Sequence, residues 1–312
     1  MKQHPILHHY PASPYAEKIR LIFGYKRIDW RSVMIPPIMP KPDVVALTGG
    51  YRRTPILQLG AEVYCDTALI VRALERMKPS PTLYPYGDTL AVLALAQFAE
   101  SVLSNVAVPI AFQPEAVKTF FPEAGADFLD RFREDRGAMR KGGTVRRGSL
   151  GECKALYAHY APLIEAQFAD GRAFLLGSSL CAADFACYHP LWPIGRLPAL
   201  KGLLEPYPRL SAWMARMQAI GHASSAEMSS AQALEVARSS KPAPQHGAAF
   251  ETEGRAIGDT VEVMPVDYAL DPVRGELLEC SADEIALRRT DPRAGTVVVH
   301  FPRAGYQIRK AQ

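Results

Sequence analysis

The sequence holds few cysteines and spaces them poorly for any shared task. The five, Cys65, Cys153, Cys181, Cys187 and Cys280, are odd in number and contain no CxxC pair. That pattern argues against a zinc site and a disulfide framework, and it fits a reducing compartment. No metal is expected, and the expected location is cytoplasmic. A strong charge of one sign is also missing: 36 Lys+Arg face 32 Asp+Glu, a formal net charge of +4. With no basic tail or stripe, nucleic acid is not an expected partner. The densest basic stretch, "RGAMRKGGTVRRGS" at 136–149, reads as a solvated glycine-rich loop, with an anion cradle as the alternative. No apolar run approaches membrane-spanning length, and residues 1–9 are short and polar. Neither a membrane span nor a signal peptide is therefore expected. Internal repeats are lacking too.

What is present is a core-forming composition, 48% apolar over 312 residues, which is long for one domain. Three regions differ in period. Residues 1–80 alternate short extended runs with amphipathic helices. "PILHHY" and "IDWRSVMI" read as strands around the helix "SPYAEKIRLIFGY", and "TPILQLG" and "EVYC" read as a hairpin. "DTALIVRALERM" then reads as a helix opened by Asp66. The order β-α-β, β-β-α predicts a four-stranded sheet with packed helices. Residues 81–238 predict an all-α bundle, with helices near 90–106, 150–168, 182–192 and 208–220. A linker rich in Ser, Pro, Ala and Gly spans 239–255. In 256–312 the period changes to five short strands, the size of a small SH3-like or OB-like barrel. There "HFPRAGY", 300–306, reads as a strand corner with packed Phe301 and Tyr306, with ligand binding as the alternative.

Candidate chemistry gathers at element junctions. Ser13 stands immediately before the first helix, Thr54-Pro55 opens a strand, and Asp66-Thr67 opens the next helix. All three fall on one end of the small sheet. Pro55 marks either an edge strand or a cis bond, and the cis form is the expectation. A helix N-terminus carries roughly +0.5 charge and free N–H groups, so it favours an anion. Ser13, Asp66 and Thr67 can also simply cap their helices, each for about 1 kcal/mol. His9 and Tyr10 end the first strand, where packing is the commoner task. Arg52 and Arg53 read as solvated charges, with carboxylate binding as the alternative. The cysteines read as small buried hydrophobes.

Together these motifs resemble the glutathione transferase family over about three quarters of the chain. "SPYAEKIRL" resembles the Ser-Pro helix start of the serine-type classes, "TPILQL" the cis-proline strand, and "DTALIVRALE" the acidic helix start. "LLGSSLCAADFACYHPLW" resembles the buried Ser/Thr-x-x-Asp capping segment of the helical domain. The resemblance implies a thioredoxin-like α/β domain followed by an all-helical domain, with the small β barrel as an addition. It implies glutathione as co-substrate, a small electrophile bound between the domains, a homodimer and a role in detoxification. Ser13 would hold the glutathione thiolate, with Tyr10 and His9 as second candidates. Thr54 and Pro55 would pair with the cysteinyl backbone, Asp66 and Thr67 would take the γ-glutamyl group, and Arg53 a carboxylate. A non-catalytic module that keeps the fold, its barrel recruiting a partner, is the alternative.

The sequence departs from the family in three places. Asp-Thr replaces the commoner Glu-Ser at 66–67. Cys181 stands where a hydroxyl cap is usual, so either Ser178 or Ser179 substitutes or the register shifts. The proline-rich connector, 36–42 within 34–53, is expected to reshape or block the site.

Overall fold

The structure, a computed structural model, describes residues 4–311 except 123, 126, 245–248 and 253. The first strand, β1 (Ile6–His9), is buried on both faces and feeds helix α1 (Pro14–Lys26), whose first residue is a proline. Proline suits that position because its fixed φ is helical and no N–H is lost there. The helix returns the chain to β2 (Trp30–Met34), which pairs parallel to β1, as a crossover connection requires. β3 (Ile56–Leu59) pairs antiparallel to β1, and β4 (Glu62–Cys65) antiparallel to β3 through a turn at Gly60 with φ +66°. Helix α3 (Thr67–Met77) follows. The connector holds a helix the sequence reading omitted, α2 (Pro42–Thr48), closed by Gly49 at φ +80°.

The all-α region contains α4 (Leu90–Phe98), a π-helical turn (Ala99–Leu103), α5 (Ser104–Ala111), α6 (Pro114–Phe120), α7 (Phe128–Arg140), α8 (Leu150–Gln167), α9 (Ala182–Arg196) and α10 (Pro208–Gln218). Two expectations change here. The basic stretch 136–149 is not one loop, because its first residues finish α7. The span Leu90–Ala111 is one continuous 22-residue helix, long and apolar enough by composition to cross a membrane, with mean hydropathy 1.5 in its best window. In this fold Leu103, Ala107 and Ile110 instead join the core shared with α9, while Leu90 and Leu93 stay exposed.

After α10 the chain returns to the sheet. β5 (Ser225–Glu227) pairs parallel to β2, and α11 (Ser230–Ser239) packs near α2 and the sheet. β6 (Thr260–Pro265), β7 (Val273–Cys280), β8 (Glu284–Asp291), β9 (Gly295–Pro302) and β10 (Tyr306–Lys310) follow. The expected separate closed barrel is corrected. The five strands run in the order β10-β6-β7-β8-β9, and β9 pairs parallel to β4 instead of closing on β10. The result is one ten-stranded sheet, β10-β6-β7-β8-β9-β4-β3-β1-β2-β5. The physical reason is the open edge of β4, whose unpaired backbone groups demand a partner.

Two apolar clusters flank this sheet. One joins α1 and α3 to the helical domain through Phe23, Ile70, Phe185 and Trp192. The other lies under α2 and α11 and continues into the C-terminal strands through Val33, Leu47, Leu234, Val299 and Phe301.

Candidate functional site

Strand register brings the candidate junctions together. His8 pairs with Ile56, and Ile56 pairs with Cys65, so the end of β1, the start of β3 and the end of β4 share one sheet end. Asp66 follows Cys65 directly, Thr54 precedes Ile56 by two residues, and Ser13 stands four residues beyond the end of β1.

Ser13 is buried at 2% exposure and caps α1, its Oγ accepting from the Ala16 N–H at 3.2 Å. Because the oxygen accepts there, the hydroxyl proton remains for an anion. The Thr54–Pro55 bond is cis. Asp66 caps α3 through Oδ1 and the Ala68 N–H at 2.9 Å, with φ +74°. That backbone region is rare for a non-glycine residue and costs about 1–3 kcal/mol, a strain typical of functional positions. Thr67 is buried, and its hydroxyl accepts from Lys18 Nζ at 3.3 Å.

The arginines are not solvated charges. Arg52 is paired with Asp135 of α7. Arg53 meets Asp267 at 2.5 Å, donates to the Tyr268 carbonyl and lies 3.9 Å from Asp66. Tyr10 sits at the rim, its hydroxyl accepting from Arg136 at 3.3 Å. His9 faces other partners. The ring is buried, Nδ1 accepts from Arg20 at 3.0 Å and Nε2 donates to Ser32 at 2.9 Å. Burial first, then the Arg20 charge, pulls its pKa down to about 3. With both nitrogens occupied away from the junctions, His9 is a packed core histidine.

Sequence reasoning missed Lys41. Its ammonium is buried in the connector and donates to Thr54 Oγ1 and the Arg52 carbonyl, both at 3.2 Å. Burial, reinforced by Arg136, brings its pKa down to about 7. A lysine among prolines carries no pattern, and only the cis-proline strand nearby pointed to this segment. Also missed was the cluster above Thr67. The π-helical turn delivers Glu100 to Lys18 at 2.7 Å and His189 at 3.3 Å. Such turns recur at functional sites. Burial opposes the Glu100 charge, but Lys18 and His189 outweigh it and hold the carboxyl at about 2.

The helical domain keeps its cap in register. The Cys181 backbone N–H and thiol both donate to Asp184 Oδ2, at 3.0 and 3.2 Å, so neither Ser178 nor Ser179 substitutes. Oδ1 accepts from the Leu175 N–H at 2.9 Å and the Trp213 indole at 3.0 Å. A cavity of about 210 Å³ lies between the connector (Ile38, Met39) and α7 (Arg131, Asp135, Ala138). Among the described residues no group of His, Cys, Asp and Glu is arranged to hold a metal.

A hydroxyl-capped first helix, a cis-proline strand and an acidic helix start on one sheet end, followed by a helical domain, define a thioredoxin-like two-domain class. Comparison makes this specific. The family model described as "Glutathione S-transferase, N-terminal domain" matches residues 7–82, and "Glutathione S-transferase, C-terminal domain" matches 151–216. A GST-like protein from Pseudomonas syringae is 41% identical, each chain covering 100% of the other, with TM-score 0.82. The chain belongs to the glutathione transferase family. A glutathione S-transferase from Rhodospirillum rubrum F11 is similar at 21% identity over 69% of this chain and 87% of its own, TM-score 0.50. The β-etherase LigF of Sphingobium sp. strain SYK-6 is similar at 15% over 69% and 95%, TM-score 0.50. These two share the fold. A search of curated proteins finds no match.

Proposed function

We propose that the protein binds glutathione at this sheet end and activates its thiol toward a small electrophile. One observation carries the reading. A hydroxyl that caps a helix through its oxygen, and keeps its proton, stands on the same sheet end as Thr54–Pro55 and Asp66–Thr67. Ser13 donates that proton to the sulfur, and the α1 N-terminus adds its partial positive charge, so the thiolate is favoured. The Thr54 backbone pairs with the cysteinyl residue as a short added strand. Asp66 and Thr67 take the γ-glutamyl amine and carboxylate. Lys41 and Arg53, cations on either side of Thr54, complement the remaining carboxylate charge. The electrophile enters between the domains, where the connector and α7 leave their cavity.

The test is retention on immobilised glutathione, followed by conjugation to a general aryl halide. Retention with turnover is expected, and neither would overturn the reading. A second reading, a binding module without turnover, is favoured by the burial of Ser13 and by the Asp267 carboxylate already on Arg53. Retention without turnover would select it. We also propose a homodimer, to which the exposed Leu90 and Leu93 of α4 contribute. Light scattering should give about twice the 34.3 kDa chain mass, and a single-chain mass would refute this.

A further inference from the structure

We propose that the β6–β7 loop, residues 266–272, is an intramolecular plug of the glutathione site, and that glutathione binds only when this loop withdraws. The inference rests on the glutathione reading of that site. The loop touches the site through Arg53. The Asp267 carboxylate and the Tyr268 carbonyl both accept from Arg53 Nη2, and the Tyr268 ring lies 5.5 Å from the guanidinium. A carboxylate beside a peptide carbonyl is the acceptor set that a carboxylated peptide would bring, and here the chain supplies it to itself. The same domain engages the acid of the site, since the Tyr306 hydroxyl donates to Asp66 Oδ2 at 3.1 Å.

The loop's other side is pinned to the helical domain. The Ala269 N–H donates to the Met139 carbonyl at 2.6 Å, and the Val145 N–H to the Asp267 carbonyl at 3.2 Å. Gly143 packs so closely that a Cβ there would stand 2.1 Å from the Asp267 carbonyl oxygen. The loop therefore spans from the site to the α7–α8 connection, across the opening between the two domains. Its grip is reversible. The Asp267 side chain is 45% exposed against 17% for Arg53, so water reaches the carboxylate end of the pair and weakens it there. A ligand that needs the open form has its affinity reduced by the open fraction.

Two variants loosen the plug from different sides: Gly143→Ala, which forces the Asp267 backbone away, and Asp267→Ala, which removes the carboxylate. Two readouts follow, the rate of Arg53 modification by phenylglyoxal, mapped by mass, and the calorimetric Kd for glutathione. Circular dichroism melting confirms that each variant is folded. Both variants should label Arg53 about tenfold faster and bind glutathione about tenfold more tightly, as expected when a mostly closed site is opened. Unchanged labelling in both would overturn the plug, whatever glutathione does. Faster labelling with unchanged or weaker glutathione binding would overturn the competition while leaving the site reading intact. Arg53 freed in both variants, with no form of the protein binding glutathione, would overturn the site reading and the competition with it.

Discussion

Where the helical domain meets the thioredoxin-like domain, α1 and α9 pack along each other through apolar and aromatic side chains. Tyr25 lies 5.8 Å from Phe185, and Phe23, Ile70, Leu191 and Trp192 share one buried cluster. Where the C-terminal strands meet the same domain, the contact is a strand pairing reinforced by charge. β9 continues the sheet at β4, and His300 stands buried between Glu62 and Glu284, 2.6 Å from each. Arg76 of α3 reaches Glu284 at 3.2 Å, the Ala243 N–H donates to Glu62 at 2.7 Å, and Arg293 pairs with Asp43. Apolar burial depends little on pH or salt, whereas a seam of hydrogen-bonded ions depends on both. The first seam rests mainly on apolar burial, with the Lys18–Glu100–His189 cluster set into it, and the second rests mainly on ions that titrate.

The largest effect should come from the helical side. Asp184 is fully buried and takes backbone donors from Leu175 and Cys181 and the Trp213 indole. Asp184→Ala orphans these three, and at about 1–3 kcal/mol for each unsatisfied buried group the loss exceeds about 3 kcal/mol. Urea unfolding should show it as a large fall in midpoint, equal at pH 6 and pH 8. A midpoint within error of wild type would mean that the cap is not what holds this domain together.

His300→Gln comes next and tests the titrating seam. Removing one member of a buried pair costs about 3–5 kcal/mol; here about 2 kcal/mol is expected, because Arg76 and the Ala243 N–H still serve the carboxylates. The wild type should also change with pH. Burial opposes the imidazolium, but Glu284 and Glu62 outweigh it and raise the His300 pKa above its usual 6.5. A raised pKa means the folded protein holds a proton that the unfolded chain releases. Its stabilisation is complete below 6.5 and is lost as pH rises through the raised value. Glu284 runs the other way: burial raises its pKa, but His300 and Arg76 prevail and lower it. Its share is present above the ordinary glutamate value and lost as pH falls through the lowered one. Melting temperature should therefore decline in mildly alkaline buffer in wild type more than in His300→Gln. Parallel profiles would refute the latch.

A smaller effect belongs to Lys41, where both seams approach the site. With its pKa brought down to about 7, the unfolded chain binds the extra proton between there and the ordinary lysine value. Stability therefore rises with pH across that window, opposite in sign to His300. A carboxylate bound beside Lys41 would restore its charge, so binding at pH 8 of S-methylglutathione, whose sulfur has no proton to lose, should take up a fraction of a proton. Calorimetry in two buffers of different ionisation enthalpy measures it, and Lys41→Met should abolish it. Uptake that persists in the variant would remove Lys41 from the site.

These contrasts follow what the sequence could and could not express. In the first two regions α1, α3, α4, α8, α9 and α10 were legible because they carry their period locally, whereas α6, α7, β5 and α11 were not read. α2 was hidden because Pro42 at its first turn reads equally well as connector. The junction of β9 with β4 could not be read, since Glu62 and Val298 are brought together only by the fold. Ser13, Thr54 and Asp66 were singled out as candidates through turn chemistry, which is local. Lys41, Glu100 and His300 were not, because their roles come from burial against distant partners. The partners of His9, Arg20 and Ser32, were hidden for the same reason, being set by packing rather than by its place at a strand end.

Ser13 gives the smallest change in stability and the sharpest question, because the hydroxyl that caps α1 is also the proposed thiolate donor. As a cap it accepts from the Ala16 N–H, and Ser13→Ala should cost about 1 kcal/mol of stability. If that were its whole task, the conjugation rate would hardly change. As thiolate donor it favours the ionised form of bound glutathione, so the same substitution should raise the bound thiol pKa. Each pKa unit is about 1.4 kcal/mol, and a barrier raised by that amount slows the reaction roughly tenfold at neutral pH. Affinity should move little, because in the proposed site the residues at 54, 66 and 67 would hold the rest of the tripeptide. The thiolate absorbance of bound glutathione, titrated in wild type and in Ser13→Ala, separates the two tasks. A raised pKa with preserved affinity makes Ser13 the activating group. An unchanged pKa leaves it a cap, and Tyr10, whose hydroxyl already accepts from Arg136 at the rim, becomes the next residue to test.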